Sequence, residues 1–255
     1  MRSIYELFLH SQVTRRIAKC GYGKSEWQVY LSGALFCVKQ WGQFCTCNLL
    51  LFLHKIMRGM VNMANCFDKT LDVNYGITYG RNKLVFIKAG RGGTIYGLDN
   101  KYVNIADRIS KEYGYTVVIS ANHKDSVYVL EDELKLVKAM VPDYTEIIFV
   151  GMSAGALIGA QQGYLNEEIK SMLLINGPLM INWPKTKRGI EKFEGKNVEM
   201  LYGTKDPSYK YYEILKCINS DKLIAREIED ADHNFIGKQD VFEEEIIRFV
   251  GKEID

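Results

Sequence analysis

The chain has 255 residues, with 33 lysines and arginines against 31 aspartates and glutamates, and a formal net charge of +2 at pH 7. Hydrophobic residues make up 47% and charged residues 25%, a composition typical of a globular protein rather than a disordered one. This nearly neutral balance gives no sign of a basic nucleic-acid-binding surface, so we expect no nucleic-acid partner.

Residues 1–65 differ in composition from the rest of the chain. Up to Asp68 there are eight lysines and arginines against three acids. Five of the six cysteines also lie in this part: Cys20, Cys37, Cys45, Cys47 and Cys66. The break predicts an atypical N-terminal extension over residues 1–65, followed by one domain over residues 70–255. The uncharged stretch 40–54 is too short for a membrane span, and the two cysteines within it lack zinc-site spacing, so neither a span nor a metal is expected.

Three interpretations of residues 1–65 remain open. The segment is an interfacial, weakly membrane-associated extension, a partner-binding or poorly ordered extension, or an upstream extension of the reading frame. We favour the third, with a natural start at Met57, Met60 or Met63, because the organised part of the sequence begins just after Met63. The domain holds one cysteine, Cys217, and no secretory leader is recognisable, which predicts a cytoplasmic location.

Beyond residue 72 the sequence alternates between strand-like and helix-like segments. This alternation predicts the α/β class, with a mostly parallel central sheet and helices on both faces. The first strand and the segment after it, residues 75–83, predict an antiparallel hairpin. Strands are predicted near 74–79, 83–88, 115–120, 146–150, 171–175, 198–202 and 223–228. Helices are predicted near 99–113, 128–140, 154–165, 208–218 and 239–252.

A glycine-flanked serine stands where the strand 146–150 gives way to a helix. The sequence there is Gly151-Met152-Ser153-Ala154-Gly155, a G-x-S-x-G string that is weak evidence alone but stronger in the order strand, motif, helix. A glycine-rich strand-to-helix turn can instead hold a phosphate at the helix N-terminus. Neither G-x-G-x-x-G nor G-x-x-x-x-G-K-[ST] occurs, which favours Ser153 as a nucleophile.

A nucleophilic serine needs a base and a group that orients the base. Of the four histidines, His233 follows the predicted strand 223–228, and Asp206 follows the predicted strand 198–202. The chain order is therefore serine, acid, histidine, with each side chain just beyond a strand end. The alternatives that stay open are Asp230 or Asp232 as the orienting acid, and His123 as a rival base or a pocket residue.

From about residue 72 to the C-terminus, these motifs make the chain resemble a small α/β-hydrolase. That family carries its nucleophile after the fifth strand, its acid after the seventh and its histidine after the eighth. The resemblance implies the roles of nucleophile, acid and base for Ser153, Asp206 and His233. It further implies a serine hydrolase that cleaves a carboxylic ester or thioester through an acyl-enzyme, without a cofactor or metal.

The resemblance also implies two backbone N–H donors for an oxyanion. One is the N–H of Ala154, and the other comes from the loop after the strand 83–88. By register we assign it to Arg91, with Gly92 as the neighbouring alternative. Gly90 and Gly92 are predicted to bind the substrate, because glycines let the backbone approach it. Many relatives carry histidine-glycine here, whereas this chain has Ala89-Gly90. The Arg91 side chain either faces solvent, which we favour, or meets an acidic substrate.

The segment in which this family often places a lid is short. About twenty residues separate Pro178 from the strand at Val198, which leaves no room for a multi-helix cap. We therefore expect a minimal lid and an open cleft lined by Trp183, Tyr96 and Phe235, with a small acyl compound as substrate. The oligomeric state stays open, as do two alternatives: a non-catalytic ligand-binding protein on this fold, and a peptidase or lactone hydrolase.

Overall fold

The structure is a computed structural model. It describes residues 75–125 and 127–253, together with three short strands nearer the N-terminus. The chain divides into two compact units, Met1–Ile56 and Met57–Asp255. In the first unit, strands β1 (Ile17–Ala18), β2 (Glu26–Leu31) and β3 (Ala34–Lys39) pair in that order as an antiparallel sheet.

Most of the predicted N-terminal extension lies outside the described residues. This includes the uncharged stretch 40–54 and the methionines proposed as starts, so all three interpretations of residues 1–65 stay predictions. Among the described residues, no helix is long and apolar enough to cross a membrane.

The second unit contains a seven-stranded sheet with helices on both faces, as the sequence predicts. Its strand order is β10-β9-β8-β7-β5-β6-β4, and only β4 runs antiparallel to its neighbour. The strands are β4 (Tyr75–Thr78), β5 (Lys83–Lys88), β6 (Thr116–Ser120), β7 (Glu146–Met152), β8 (Ile169–Ile175), β9 (Asn197–Gly203) and β10 (Leu223–Ile228). The helices are α1 (Lys101–Tyr113), α2 (Leu130–Met140), α3 (Ala154–Gln162), α4 (Trp183–Glu191) and α5 (Gln239–Gly251).

Alternation along the strands divides the core between the two faces of the sheet. On one face Phe86 and Phe149 lie in a cluster with buried residues of α2, α3 and α4. On the other face Val85 and Val150 lie in a cluster with buried residues of α1 and α5. Because successive side chains of a strand point to opposite faces, the continuously apolar strands can be covered on both sides.

The predicted hairpin over residues 75–83 is wrong. Strand β4 is antiparallel, but it pairs with β6, through partners such as Tyr75 and Ser120, rather than with β5. The reason is that β5 has a parallel neighbour on each edge, β6 on one side and β7 on the other. The first strand therefore takes the free edge of β6.

The helix predicted near 208–218 is present as a 3-10 helix, Tyr209–Cys217. Among the described residues, one helix lies outside the prediction. Helix α4 was not among the predicted helices, although its start carries a recognisable signal. Asn182 caps it by accepting a hydrogen bond from the Lys185 N–H, and Pro184 stands in its first turn.

A buried ion pair joins α2 to the ends of β5 and β6. The Lys88 side chain is fully buried, and its Nζ donates to Glu133 Oε1 at 2.7 Å, Ser120 Oγ at 3.0 Å and the Ala121 carbonyl at 2.9 Å. The ammonium also lies 3.4 Å from the centre of the Tyr128 ring. Burial lowers the pKa of Lys88 to about 8, while the Glu133 carboxylate opposes this shift. Removal of one partner would leave the other charge buried without compensation.

We predict that Lys88→Met destabilises the folded domain by about 3–5 kcal/mol, because it leaves the Glu133 carboxylate in the core without its ion-pair partner. The double variant Lys88→Met/Glu133→Leu is expected to regain most of this loss, since no buried charge remains. Urea unfolding of both variants checks the expectation. Equal stability loss in the single and double variants would contradict the explanation that an uncompensated Glu133 charge causes the loss.

Candidate active site

Ser153 stands at a strained turn between β7 and α3. Its backbone has φ 53° and ψ −115°, a conformation that costs free energy for any residue with a side chain. The flanking glycines are required by crowding. A Cβ added at Gly151 would lie 2.6 Å from the Ala156 nitrogen, and one at Gly155 would lie 2.2 Å from the Lys88 carbonyl oxygen. The turn places the Ser153 side chain at the edge of the sheet formed by the carboxyl ends of the strands.

The structure brings Ser153, His233 and Asp206 into one hydrogen-bonded chain. His233 Nε2 lies 3.0 Å from Ser153 Oγ, and His233 Nδ1 is hydrogen-bonded to Asp206 Oδ2. The Asp206 side chain is fully buried, and its Oδ1 accepts a hydrogen bond from the Ser208 N–H at 2.6 Å. An imidazole with its proton on Nδ1 would donate to the carboxylate and leave Nε2 free to accept the serine proton.

The alternative acids in the His233 loop are engaged elsewhere. Asp230 pairs with Lys205 at 2.7 Å, and this ammonium lowers the pKa of the Asp230 carboxyl. Asp232 Oδ1 accepts hydrogen bonds from the N–H groups of Asn234 and Ile236. The carboxylate that contacts the imidazole is therefore that of Asp206.

The rival base, His123, lies in the exposed loop after β6. Its backbone N–H donates to the Tyr128 hydroxyl at 2.8 Å. Within the described part of the chain, the imidazole that is hydrogen-bonded to Ser153 is that of His233. The role of His123 as a pocket residue stays a prediction.

Asn176, which was not predicted from the sequence, is hydrogen-bonded to the segments that carry Asp206 and His233. It is fully buried at the end of β8, where its Nδ2 donates to the carbonyls of Asp232 at 3.3 Å and His233 at 3.1 Å. Its Oδ1 accepts from the Gly203 N–H at 2.9 Å, just before the loop that bears Asp206. The side chain therefore joins the loops of the acid and the histidine. A polar residue directly after an apolar strand was the available signal.

The loop after β5 lies against the serine. A Cβ added at Gly90 would lie 3.1 Å from Ser153 Cβ and 3.4 Å from the Met152 carbonyl oxygen. The Gly92 N–H donates to the Asn122 carbonyl, and the Gly93 N–H donates to the Gly90 carbonyl at 2.8 Å. The Gly92 N–H is thus already used, which favours Arg91 over Gly92 as the second oxyanion donor. Ala154, the other predicted donor, is the first residue of α3.

The predicted cleft residues differ in their placement. The expectation that Phe235 lines a cleft is wrong, because its side chain is 0% exposed and its ring packs edge-on against Phe242 at 5.2 Å. Trp183 is half-buried at the start of α4 and packs on the core, so its role toward a substrate stays a prediction. Tyr96, in contrast, is 43% exposed.

A groove in the described part of the chain lies at the opposite edge of the sheet from Ser153. This groove of about 940 Å³ is lined by residues just before β8, β9 and β10, among them Tyr164, Phe193 and Lys222. It therefore lies at the amino ends of the strands, away from Ser153. Among the residues with described positions, no three histidine, cysteine or acidic side chains are grouped to hold a metal ion.

Comparisons with solved structures show that the chain has the α/β-hydrolase fold. Est1E from Butyrivibrio proteoclasticus superposes with a TM-score of 0.59 at 13% identity, over 74% of this chain and 98% of that one. The Pyrococcus furiosus esterase Pf2001 gives 0.54 at 18%, over 76% and 93%. An α/β serine hydrolase without a lid from Xanthomonas campestris gives 0.52 at 17%, over 71% and 88%.

At these identities the likeness concerns the fold alone. No protein-family model matches the sequence. No curated protein matches it either.

We predict that Asn176→Asp destabilises the domain by about 1–3 kcal/mol, because the introduced carboxylate cannot donate to the two carbonyls of the His233 loop. Backbone amides of residues 231–236 are expected to exchange their hydrogens faster. Urea unfolding and hydrogen exchange measure both effects. Asn166→Asp is the matched control, since the Asn166 amide donates to a single carbonyl at a partly exposed position. Equal effects of the two substitutions would contradict the tie between the loops.

Proposed function

We propose that the protein is a serine hydrolase that cleaves a carboxylic ester or thioester of a small acyl substrate through an acyl-enzyme. The observation that carries the proposal is the chain from Asp206 to His233 Nδ1 and from His233 Nε2 to Ser153 Oγ at 3.0 Å. In this arrangement a base stands at the hydroxyl and a buried carboxylate orients the base.

In the first half of the proposed reaction, His233 accepts the Ser153 proton as Oγ attacks the carbonyl carbon. The charge that develops on the carbonyl oxygen is stabilised by the N–H groups of Ala154 and Arg91. His233 then gives the proton to the departing alcohol or thiol, and the acyl group stays on the serine. Asp206 stabilises the imidazolium that exists between the two proton transfers.

In the second half, a water molecule takes the position of the leaving group. His233 accepts its proton while the water oxygen attacks the acyl-enzyme, and the same N–H groups stabilise the second oxyanion. Return of the proton to Ser153 Oγ releases the acid and restores the enzyme. No step requires a metal or cofactor.

Three further observations support this proposal over a non-catalytic binding protein. The strained backbone at Ser153 is the kind of feature that accumulates at functional sites. The segment between β8 and β9 holds one helix, α4, which agrees with the minimal lid expected from the sequence. The solved neighbours include one described as an esterase and one described as a serine hydrolase without a lid.

Peptidase and lactone-hydrolase activities would use the same three side chains, and a panel of substrates distinguishes them. A cytoplasmic location stays a prediction from the sequence.

We predict that Ser153→Ala lowers turnover of a p-nitrophenyl ester by about a million-fold, because the three side chains act as a unit. Steady-state kinetics with the full chain measures this change. Ser110→Ala, on helix α1, is the matched control and should keep the parent turnover. An unchanged rate in Ser153→Ala would remove the serine-hydrolase proposal.

We predict that Gly90→Ala lowers kcat by up to about 100-fold, because the new methyl group would press on Ser153 and shift the neighbouring Arg91 N–H. Gly76→Ala on β4 is the matched control, since a Cβ there meets its neighbours at ordinary distances of 3.6 Å and more. Kinetics on one ester tests both variants. Full activity in Gly90→Ala would show that this loop does not form part of the oxyanion site.

A further inference from the structure

Two cationic residues, Arg91 in the loop after β5 and Lys124 in the loop after β6, are in contact near Ser153. The Arg91 side chain is exposed, and its Nε donates to the Lys124 carbonyl at 3.0 Å. A Cβ added at Gly92 would lie 3.0 Å from Cγ and Cε of Lys124, so the lysine stem packs over this loop. Gly90 of the same loop lies against Ser153, so Arg91 belongs to the loop that packs on the serine and the Lys124 stem packs on that loop as well.

Neither cation is neutralised by the described part of the chain. The ion pairs among the described residues include neither Arg91 nor Lys124. In the loop that bears His233, by comparison, Asp230 is paired with Lys205 and Asp232 caps two backbone N–H groups. Asp230 and Asp232 are therefore engaged, whereas Arg91 and Lys124 take part in no ion pair among the described residues.

This arrangement suits a bound carboxylate. Two exposed cationic side chains on adjoining loops attract an anion electrostatically. With its Nε held by the Lys124 carbonyl, the Arg91 guanidinium keeps its terminal nitrogens for a planar, two-oxygen partner. The sequence alone favours a solvated Arg91. The structure adds both the anchor on the carbonyl and the second cation.

We infer that the preferred substrate is an ester or thioester that carries a second, free carboxylate, which Arg91 and Lys124 bind. This inference rests on the proposed serine-hydrolase function and specifies its substrate class. The free carboxylate lies either in the acyl group, as in a half-ester of a dicarboxylic acid, or in the leaving alcohol. In both cases the two cations recognise the same group.

The test compares matched esters in the full-length protein. p-Nitrophenyl hemisuccinate and p-nitrophenyl butyrate share a leaving group and differ by a carboxylate in the acyl chain. 3-Carboxyphenyl butyrate and phenyl butyrate differ by a carboxylate in the alcohol. For each pair, the ratio of kcat/KM for the anionic ester to that for the neutral ester is measured in the parent chain, Arg91→Gln, Lys124→Gln and the control Lys111→Gln. Intrinsic reactivity cancels when these ratios are compared between variants.

We expect at least one of the two ratios to fall about two- to fivefold in each single variant, as for exposed charge pairs, and further in the double variant. Added salt should lower the same ratio in the parent chain, because ions screen exposed charges. Lys111→Gln, on the last turn of α1, should leave both ratios unchanged. Ratios that do not respond to Arg91→Gln or Lys124→Gln would overturn the inference while hydrolysis of the neutral ester preserves the proposed function. If the parent chain hydrolyses none of the four esters, the proposed function fails and this inference fails with it.

Discussion

The site depends on the sharp turn between β7 and α3. Ser153 has a positive φ angle there, and Gly151 and Gly155 leave the space in which strand and helix can meet. The Ser153 N–H donates to the Ile175 carbonyl of β8 at 2.8 Å, which holds the turn on the sheet. Relaxation of this turn would move the hydroxyl away from the imidazole. Core packing on both sides of β7 supplies the free energy that maintains the strain.

The partners of Ser153 come from loops that the parallel sheet brings to one edge. Asp206 follows β9 and His233 follows β10, and parallel strands end at the same side of a sheet. Asn176 then joins these two loops through three hydrogen bonds. The Lys88–Glu133 pair holds the ends of β5 and β6 in the same way, next to the loop that begins at Gly90. Strand order thus places the groups approximately, and buried polar contacts fix them.

Much of this arrangement could be predicted from the sequence, since it depends on local order along the chain. Ser153, Asp206 and His233 each follow a segment predicted as a strand, and this order along the chain predicted the order of the site. The features that were missed depend on neighbours distant in sequence. Nothing local shows that Phe235 turns into the core against Phe242, or that the free edge of β6 receives the first strand. The partners of Asn176 and Lys88 are likewise known only once the strands are assembled.

The central claim is that contact with His233 makes the Ser153 hydroxyl a reactive nucleophile. The most direct measurement is incubation of the folded, full-length protein with a fluorophosphonate, followed by mass-spectrometric mapping of the modified residue. We predict one covalent adduct, on Ser153, that forms in the folded protein and not after unfolding in urea. Absence of an adduct on Ser153 in the folded protein, or an adduct on a different residue, would contradict it.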